Sequence, residues 1–160
     1  MTVRIPLDPK KFGDVLGAML GLNKVIESAG FDHKLLYLVE VRVSQLNGCG
    51  FCIDMHTKDA RLEGETEQRL YLLNAWREAP IYSDRERAAL AWAEAVTKLE
   101  NGHVPDQVYQ QAREHFDEQQ LMKLTSHFRS TWVRPLKLSS GFVCVCPPNQ
   151  RSMAFECAAR

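Results

Sequence analysis

The chain has 160 residues, and its 20 lysines and arginines are matched by 20 aspartates and glutamates, leaving no formal net charge. That balance argues against a polyanionic partner such as a nucleic acid and slightly favours self-association. The length suffices for one domain burying roughly two-thirds of its unfolded surface. With no apolar run of about 18 residues, and with Met1-Thr2-Val3-Arg4-Ile5-Pro6 unlike a signal peptide, the expectation is a cytoplasmic protein without a membrane contact. In such a reducing compartment five cysteines make a poor structural disulfide set, and a close pair becomes a candidate for reversible oxidation.

Taken in order, the first ten residues, with Pro6 and Pro9, are predicted as an extended arm. From Phe12, Val15, Leu16, Met19, Leu22 and Ile26 recur at helical spacing, and Gly30 is the expected stop. Gly13, Gly17 and Gly21 either form a close-packing face or simply weaken that helix. Asp32 can cap a second helix through Leu35, Leu36, Val39, Val43 and Leu46, although Val39-Glu40-Val41-Arg42-Val43 also alternates as a strand would. Asn47-Gly48 ends it.

A third helix is read from Ile53 to about Glu63, with Gly64 as its stop. Thr66 caps a helix through Leu70, Leu73 and Trp76 that Pro80 terminates. Ser83-Asp84-Arg85-Glu86 is a capping box opening a helix rich in alanine, which permits close helix–helix approach and makes it a central element. Trp92 on that helix reads as a core anchor, and the helix carries on through Val96 and Leu99, with Gly102 following its end. Pro105 opens a helix through Val108, Ala112 and Phe116, and Asp117 with Gln120 starts another through Leu121, Leu124 and Phe128. Pro135 ends or kinks it. Beyond Pro135, Gly141 to Pro148 could make one short strand, but its Gly and Pro content reads as an irregular tail. The pattern is all-α, six or seven helices joined by short loops.

Chemistry concentrates in Asn47-Gly48-Cys49-Gly50-Phe51-Cys52-Ile53-Asp54-Met55-His56. A turn followed by helix places the Cys-x-x-Cys pair at a helix entrance, where the dipole favours a thiolate. Cys52 and His56, four apart, share a helix face. In a redox reading one thiolate attacks a peroxide or disulfide and the other resolves the product, with His56 moving the proton and Glu40 orienting the imidazole. In a metal reading Cys49, Cys52 and His56 are three zinc ligands, and the fourth is His33, His103, His115, His127 or a tail cysteine. Inert buried cysteines are the third reading. Asp54 either satisfies helix-end amides or serves as a supporting carboxylate. His103 reads as a loop residue. His115 and His127 lie near helix ends, where a cation is favoured, and need no functional role. Cys144, Cys146 and Cys157 read as incidental.

The run from Val41 to Thr57, including Ser44-Gln45-Leu46-Asn47-Gly48-Cys49-Gly50-Phe51-Cys52-Ile53-Asp54-Met55-His56, closely resembles the signature of the carboxymuconolactone decarboxylase and alkylhydroperoxidase D family, in its peroxidase-like branch. Lys58-Asp59-Ala60-Arg61, Gly64-Glu65, Trp76-Arg77-Glu78-Ala79-Pro80 and Glu86 to Trp92 extend the likeness, which covers about residues 12 to 128. The resemblance implies an all-helical domain over residues 1–134, followed by an atypical tail over 135–160, and assembly as a trimer or hexamer. It implies a thiol-dependent peroxidase working through a Cys49–Cys52 disulfide cycle, with Cys52 attacking the peroxide, Cys49 resolving and His56 in the proton relay. A small hydroperoxide and an external dithiol reductant are the implied partners, and no cofactor or metal is required. A metal-stabilised or scaffold protein, and a general dithiol–disulfide exchanger, are the alternatives.

The chain departs from the family pattern at two positions near the site. The relay glutamate of such proteins lies twelve residues before the first cysteine, where this chain has Tyr37, and Glu40 follows one helical turn later. Phe51 stands where alkylhydroperoxidase D proteins carry a histidine before the second cysteine. From Ser126 to Pro135 the family's apolar run is replaced as well.

Overall fold

The computed structural model describes residues 9–28, 30–99 and 102–130. Within them the chain forms α1 (Pro9–Glu27), α2 (His33–Leu46), α3 (Gly50–Leu62), α4 (Glu67–Leu72) running into a 3₁₀ turn (Leu73–Ala75), α5 (Asp84–Lys98), α6 (Asp106–His115) and α7 (Glu118–Ser130). Among the described residues there is no strand. Six or seven helices are expected, and the described residues form seven α-helices.

The organising element is α2. Asp32 caps it by accepting from the Lys34 N–H at 3.0 Å. From Leu35 onward all but one of its residues through Ser44 are buried, because α3 and α5 pack along it and the 3₁₀ turn and α7 close it further. Burial on every side also explains the strand-like alternation of Val39 to Val43: a helix enclosed all round has no polar face to display its period. Each buried Val or Leu contributes about 1.5 to 3 kcal/mol. Two charges, Glu40 and Arg42, are enclosed with them, and each must find partners to offset its lost hydration. Two residues apart on a helix, they point in nearly opposite directions.

Arg42 turns toward α5. Its Nε donates to Glu94 Oε1 at 2.6 Å, and its Nη1 donates to Gln45 at 3.0 Å and Asn74 at 2.7 Å. Trp76 Nε1 donates to the same Glu94 oxygen, while Arg77 pairs with the other. Helix α5 starts in the expected capping box, with Ser83 accepting from Glu86 N–H and Glu86 accepting from Ser83 N–H. Ala88, Ala89 and Ala93 are buried on it, and Trp92 belongs to the core, its Nε1 donating to Thr125 of α7 at 2.9 Å. Helix α7 opens with a second reciprocal cap between Asp117 and Gln120.

Four boundaries differ from expectation. Helix α1 begins at Pro9, so residues 9 and 10 are helical instead of extended; proline suits a helix's first position because its missing N–H would be unpaired there anyway. Helix α3 begins at Gly50, three residues before Ile53, because Cys49 caps it. The element after Thr66 tightens into the 3₁₀ turn at Leu73 instead of continuing to Trp76. Helix α5 stops at Lys98, with Leu99 left-handed at φ 43. Among the described residues, no atom lies within 4 Å of where a Cβ would stand at Gly13, Gly17 or Gly21, so nothing described packs closely against them. Pro135, the 141–148 segment and the three C-terminal cysteines lie outside the described residues. No helix among the described residues is long and apolar enough to cross a membrane.

Candidate active site

The thiol pair is positioned by two helix ends that share a residue. At the end of α2 the Gly48 N–H donates to Gln45 O, and the Cys49 N–H donates to Ser44 O, both at 3.1 Å; Gly48 takes the left-handed φ of 63 that this closure requires. Cys49 is simultaneously the N-cap of α3, its Sγ accepting from the Cys52 N–H at 3.3 Å. One backbone residue thus ends α2 and starts α3. The Cys49 sulfur is held against the first turn of α3 by that geometry.

Cys49 and Cys52 are joined by a disulfide, with Cα atoms 5.3 Å apart. Cys49 is partly exposed, whereas Cys52 is buried at 4% exposure. Along α3 the buried stripe is Cys52, His56 and Ala60, so the imidazole lies on the same face as the inner sulfur, one turn on.

His56 is fully enclosed, and its Nδ1 lies 3.0 Å from Glu40 Oε2. Glu40 is thus the carboxylate beside the imidazole. The other Glu40 oxygen, Oε1, lies 3.1 Å from Nε2 of His127, which is buried on α7. Both approaches are close charge contacts rather than well-aligned hydrogen bonds, and His56 Nε2 has no hydrogen-bond partner among the described residues. Burial by itself would push the Glu40 carboxyl up. The contacts with His127 and His56 outweigh burial and hold it well below the ordinary carboxylate range, so Glu40 is an anion.

Of the residues singled out from sequence, Cys49, Cys52, His56 and Glu40 come together. Tyr37 is half-buried and packs against the apolar core. Phe51 is half-buried in the first turn of α3. Asp54 lies past the first turn of α3 and neither caps it nor supports His56; it pairs with Lys58 at 2.7 Å. His33 begins α2, His115 ends α6 and His103 lies in a loop, lining with Arg77, Glu94 and Lys98 a cleft that includes neither cysteine. Among the described residues no group of three or more His, Cys, Asp or Glu side chains is arranged to hold a metal ion, and two sulfurs bonded to each other are not thiolate ligands.

His127 is the residue that sequence reasoning missed. A signal existed: it falls on the apolar face of α7, three residues after the buried Leu124, where an enclosed imidazole needs a polar partner. Nothing local identifies Glu40 as that partner, because the contact spans two helices distant in sequence.

An all-α bundle carrying a Cys-x-x-Cys disulfide at a helix start, with a buried histidine and carboxylate behind it, defines a helical protein with a thiol–disulfide site. Residues 13–95 match the carboxymuconolactone decarboxylase family, and the chain belongs to that family. It is similar to the uncharacterised protein YdfG of Bacillus subtilis (strain 168), at 47% identity over 106 residues, spanning 66% of this chain and 72% of that one. Among solved structures it resembles a protein of unknown function from Agrobacterium tumefaciens, proposed as the antioxidant defence protein AhpD, with a TM-score of 0.75 and 35% identity over 84% of this chain and 92% of the other. The debrominase Bmp8 shares the fold, with a TM-score of 0.69 and 19% identity over 79% of this chain and 69% of that one.

Proposed function

We propose that the protein is a thiol-dependent peroxidase that reduces small hydroperoxides through a Cys49–Cys52 disulfide cycle. The observation that carries this reading is the enclosed His56, one helical turn from the inner sulfur and anchored at Nδ1 by Glu40, with Nε2 left to exchange a proton. The resemblance to the Agrobacterium protein proposed as AhpD supports the same class.

In the reduced state the Cys52 thiol passes its proton to His56 Nε2, directly or through a water. The thiolate attacks the nearer peroxide oxygen, the O–O bond breaks, and His56 returns the proton to the departing alkoxide. Cys52 becomes a sulfenic acid and an alcohol leaves. The Cys49 thiol then condenses with the sulfenic acid, forming the S–S bond and releasing water. An external dithiol closes the cycle: one thiolate attacks the partly exposed Cys49 sulfur, Cys52 departs as a thiolate, and the second thiol resolves the mixed disulfide. The reductant is oxidised as the protein is reduced. The accessible outer sulfur and enclosed inner one suit this division of labour.

The test is mass spectrometry of the reduced protein after one equivalent of hydroperoxide. The parent chain should lose two hydrogens, Cys49→Ser should gain one oxygen at Cys52, and Cys52→Ser should stay unchanged. An unchanged mass in the parent chain overturns the peroxidase reading. If a dithiol partner's disulfide still oxidises the pair, the protein is a general exchanger instead.

A further inference from the structure

We propose that the cleft between α5 and the start of α6 is a binding site for a small organic carboxylate, with Arg77 and Lys98 receiving its charge. Neither cysteine lines this cleft, and the inference does not depend on the peroxidase reading.

Arg77 is held in place by its own neighbours. Its guanidinium lies 4.2 Å from the centre of the Trp76 ring, and its Nη2 meets Glu94 Oε2 at 2.7 Å. The side chain is still 61% exposed, so the guanidinium is fixed without being enclosed. A guanidinium carries five donors in a rigid fork, and one contact with Glu94 leaves others for a second carboxylate. Fixing the fork in advance lowers the ordering cost of binding.

The charges lining the cleft do not cancel. Among the described residues Glu94 is its one carboxylate, and both of its oxygens are engaged. Oε1 accepts from Arg42 at 2.6 Å and from Trp76 at 2.8 Å, while Oε2 faces Arg77. One carboxylate therefore meets two guanidiniums. Lys98, exposed one turn beyond Glu94 on the same helix face, adds a further cation, and His103 brings a polar ring from the loop. The excess is positive and favours an anion.

The remaining walls select what that anion carries. Ala91 and Ala95 form a row beside Glu94 and Lys98 on α5, and Pro105 and Val108 face them. Ala88, Ala89 and Ala93 serve the core of the bundle, whereas Ala91 and Ala95 are only half-buried, and their small side chains leave the cleft its room. Its volume is about 180 Å³. An apolar cavity of roughly 150 Å³ holds a benzene ring, so a body of one ring or a short branched chain fits. Cations beside apolar walls match a carboxylate on such a body better than a bare inorganic anion.

The test is titration of the nitrogen-15-labelled full chain with three probes: benzoate, its uncharged isostere benzamide, and inorganic phosphate. Benzoate should give saturable shifts of the Ala91, Ala95 and Val108 amides, and bind roughly tenfold more tightly than either other probe. Lys98→Gln, a change at an exposed side chain, should weaken benzoate about two- to fivefold. Ala95→Leu, which fills the cleft, should abolish the shifts at Ala91 and Val108. Benzamide binding as tightly as benzoate would mean that the cations take no part, and phosphate doing so would reduce the cleft to a basic patch; either overturns the inference. Benzoate shifts that do not saturate, that centre on Cys49 to His56, or that persist unchanged in Lys98→Gln overturn it as well. If Ala95→Leu does not fold, the three-probe comparison and Lys98→Gln decide.

Discussion

Arg42 and Glu94, 52 residues apart, meet at 2.6 Å between α2 and α5. The pair fixes the rotation of α2 about its own axis. With Arg42 committed to α5, Glu40 two residues earlier is turned to the opposite side, toward α3 and α7, where His56 and His127 wait. A structural ion pair on one face of α2 thereby aims the carboxylate on the other.

Removing Arg42 should expose this dependence. Breaking a buried pair by deleting one partner costs about 3 to 5 kcal/mol, and Arg42→Ala should fall toward the lower end because Arg77 and Trp76 still contact Glu94. The check is the urea midpoint, which should drop with an unchanged slope. A loss within half a kcal/mol would refute a structural role for the pair.

His56 is expected to matter to rate more than to assembly of the thiol pair. His56→Asn should slow peroxide-driven closure of the Cys49–Cys52 disulfide by about 10² to 10⁴-fold, since proton transfer falls to solvent. Stopped-flow mixing of reduced protein with hydroperoxide measures it. The variant should still form the disulfide with a strong thiol oxidant, because the cysteines are placed by the helix ends and not by the imidazole.

Acid should destabilise the fold through its buried carboxylates. Glu40 and Glu94 both have their carboxyls held below the ordinary 4.5 by contacts that outweigh burial: His127 and His56 for Glu40, and Arg77, Trp76 and Arg42 for Glu94. A group depressed in the folded state contributes stability that is fully present above its unfolded pKa and lost as pH falls through the folded value. Stability from these groups should hold above about pH 4.5 and decline below it. Thermal midpoints measured from pH 7 to pH 3 should show the decline. Glu40→Gln should be less stable at neutral pH and flatter in acid; an acid slope equal to the parent's would contradict the assignment.

The hairpin between α2 and α3 offers a purely backbone test. Gly48 stands at φ 63 with no atom of the described residues within 4 Å of where a Cβ would stand, so Gly48→Ala meets no described neighbour and isolates the cost of a left-handed alanine. That cost is about 1 to 2 kcal/mol, read as a lowered thermal midpoint. Gly48→Asn, better tolerated in this conformation, should lose less. Equal losses in the two variants would mean that backbone conformation is not the cause.

Much of the local structure was legible because its causes are local. The Asp32, Thr66, Ser83 and Asp117 caps, the Gly48 and Gly64 stops and the alanine-rich α5 all follow from side-chain chemistry acting over four residues or fewer. The boundaries were less legible. The start of α3 is masked in the sequence because glycine and cysteine have weak helix propensity, while the cap that begins it uses the Cys49 sulfur, an uncommon acceptor. The tightening at Leu73 follows from packing of the 3₁₀ turn against α2, which no local rule contains.

By itself the sequence determined the all-α class, the order of helices and the chemistry of one helix start: two sulfurs and an imidazole share a face because a 3.6-residue repeat puts them there. What only the tertiary structure decided is which distant groups complete that face. Glu40 meets His56 because α2 packs on α3, and His127 reaches Glu40 because α7 docks against α2. A buried carboxylate must be matched by whatever charge the surrounding helices bring. That requirement is set by helices folded together, and it is why a histidine unremarked in its own helix stands beside the candidate active site.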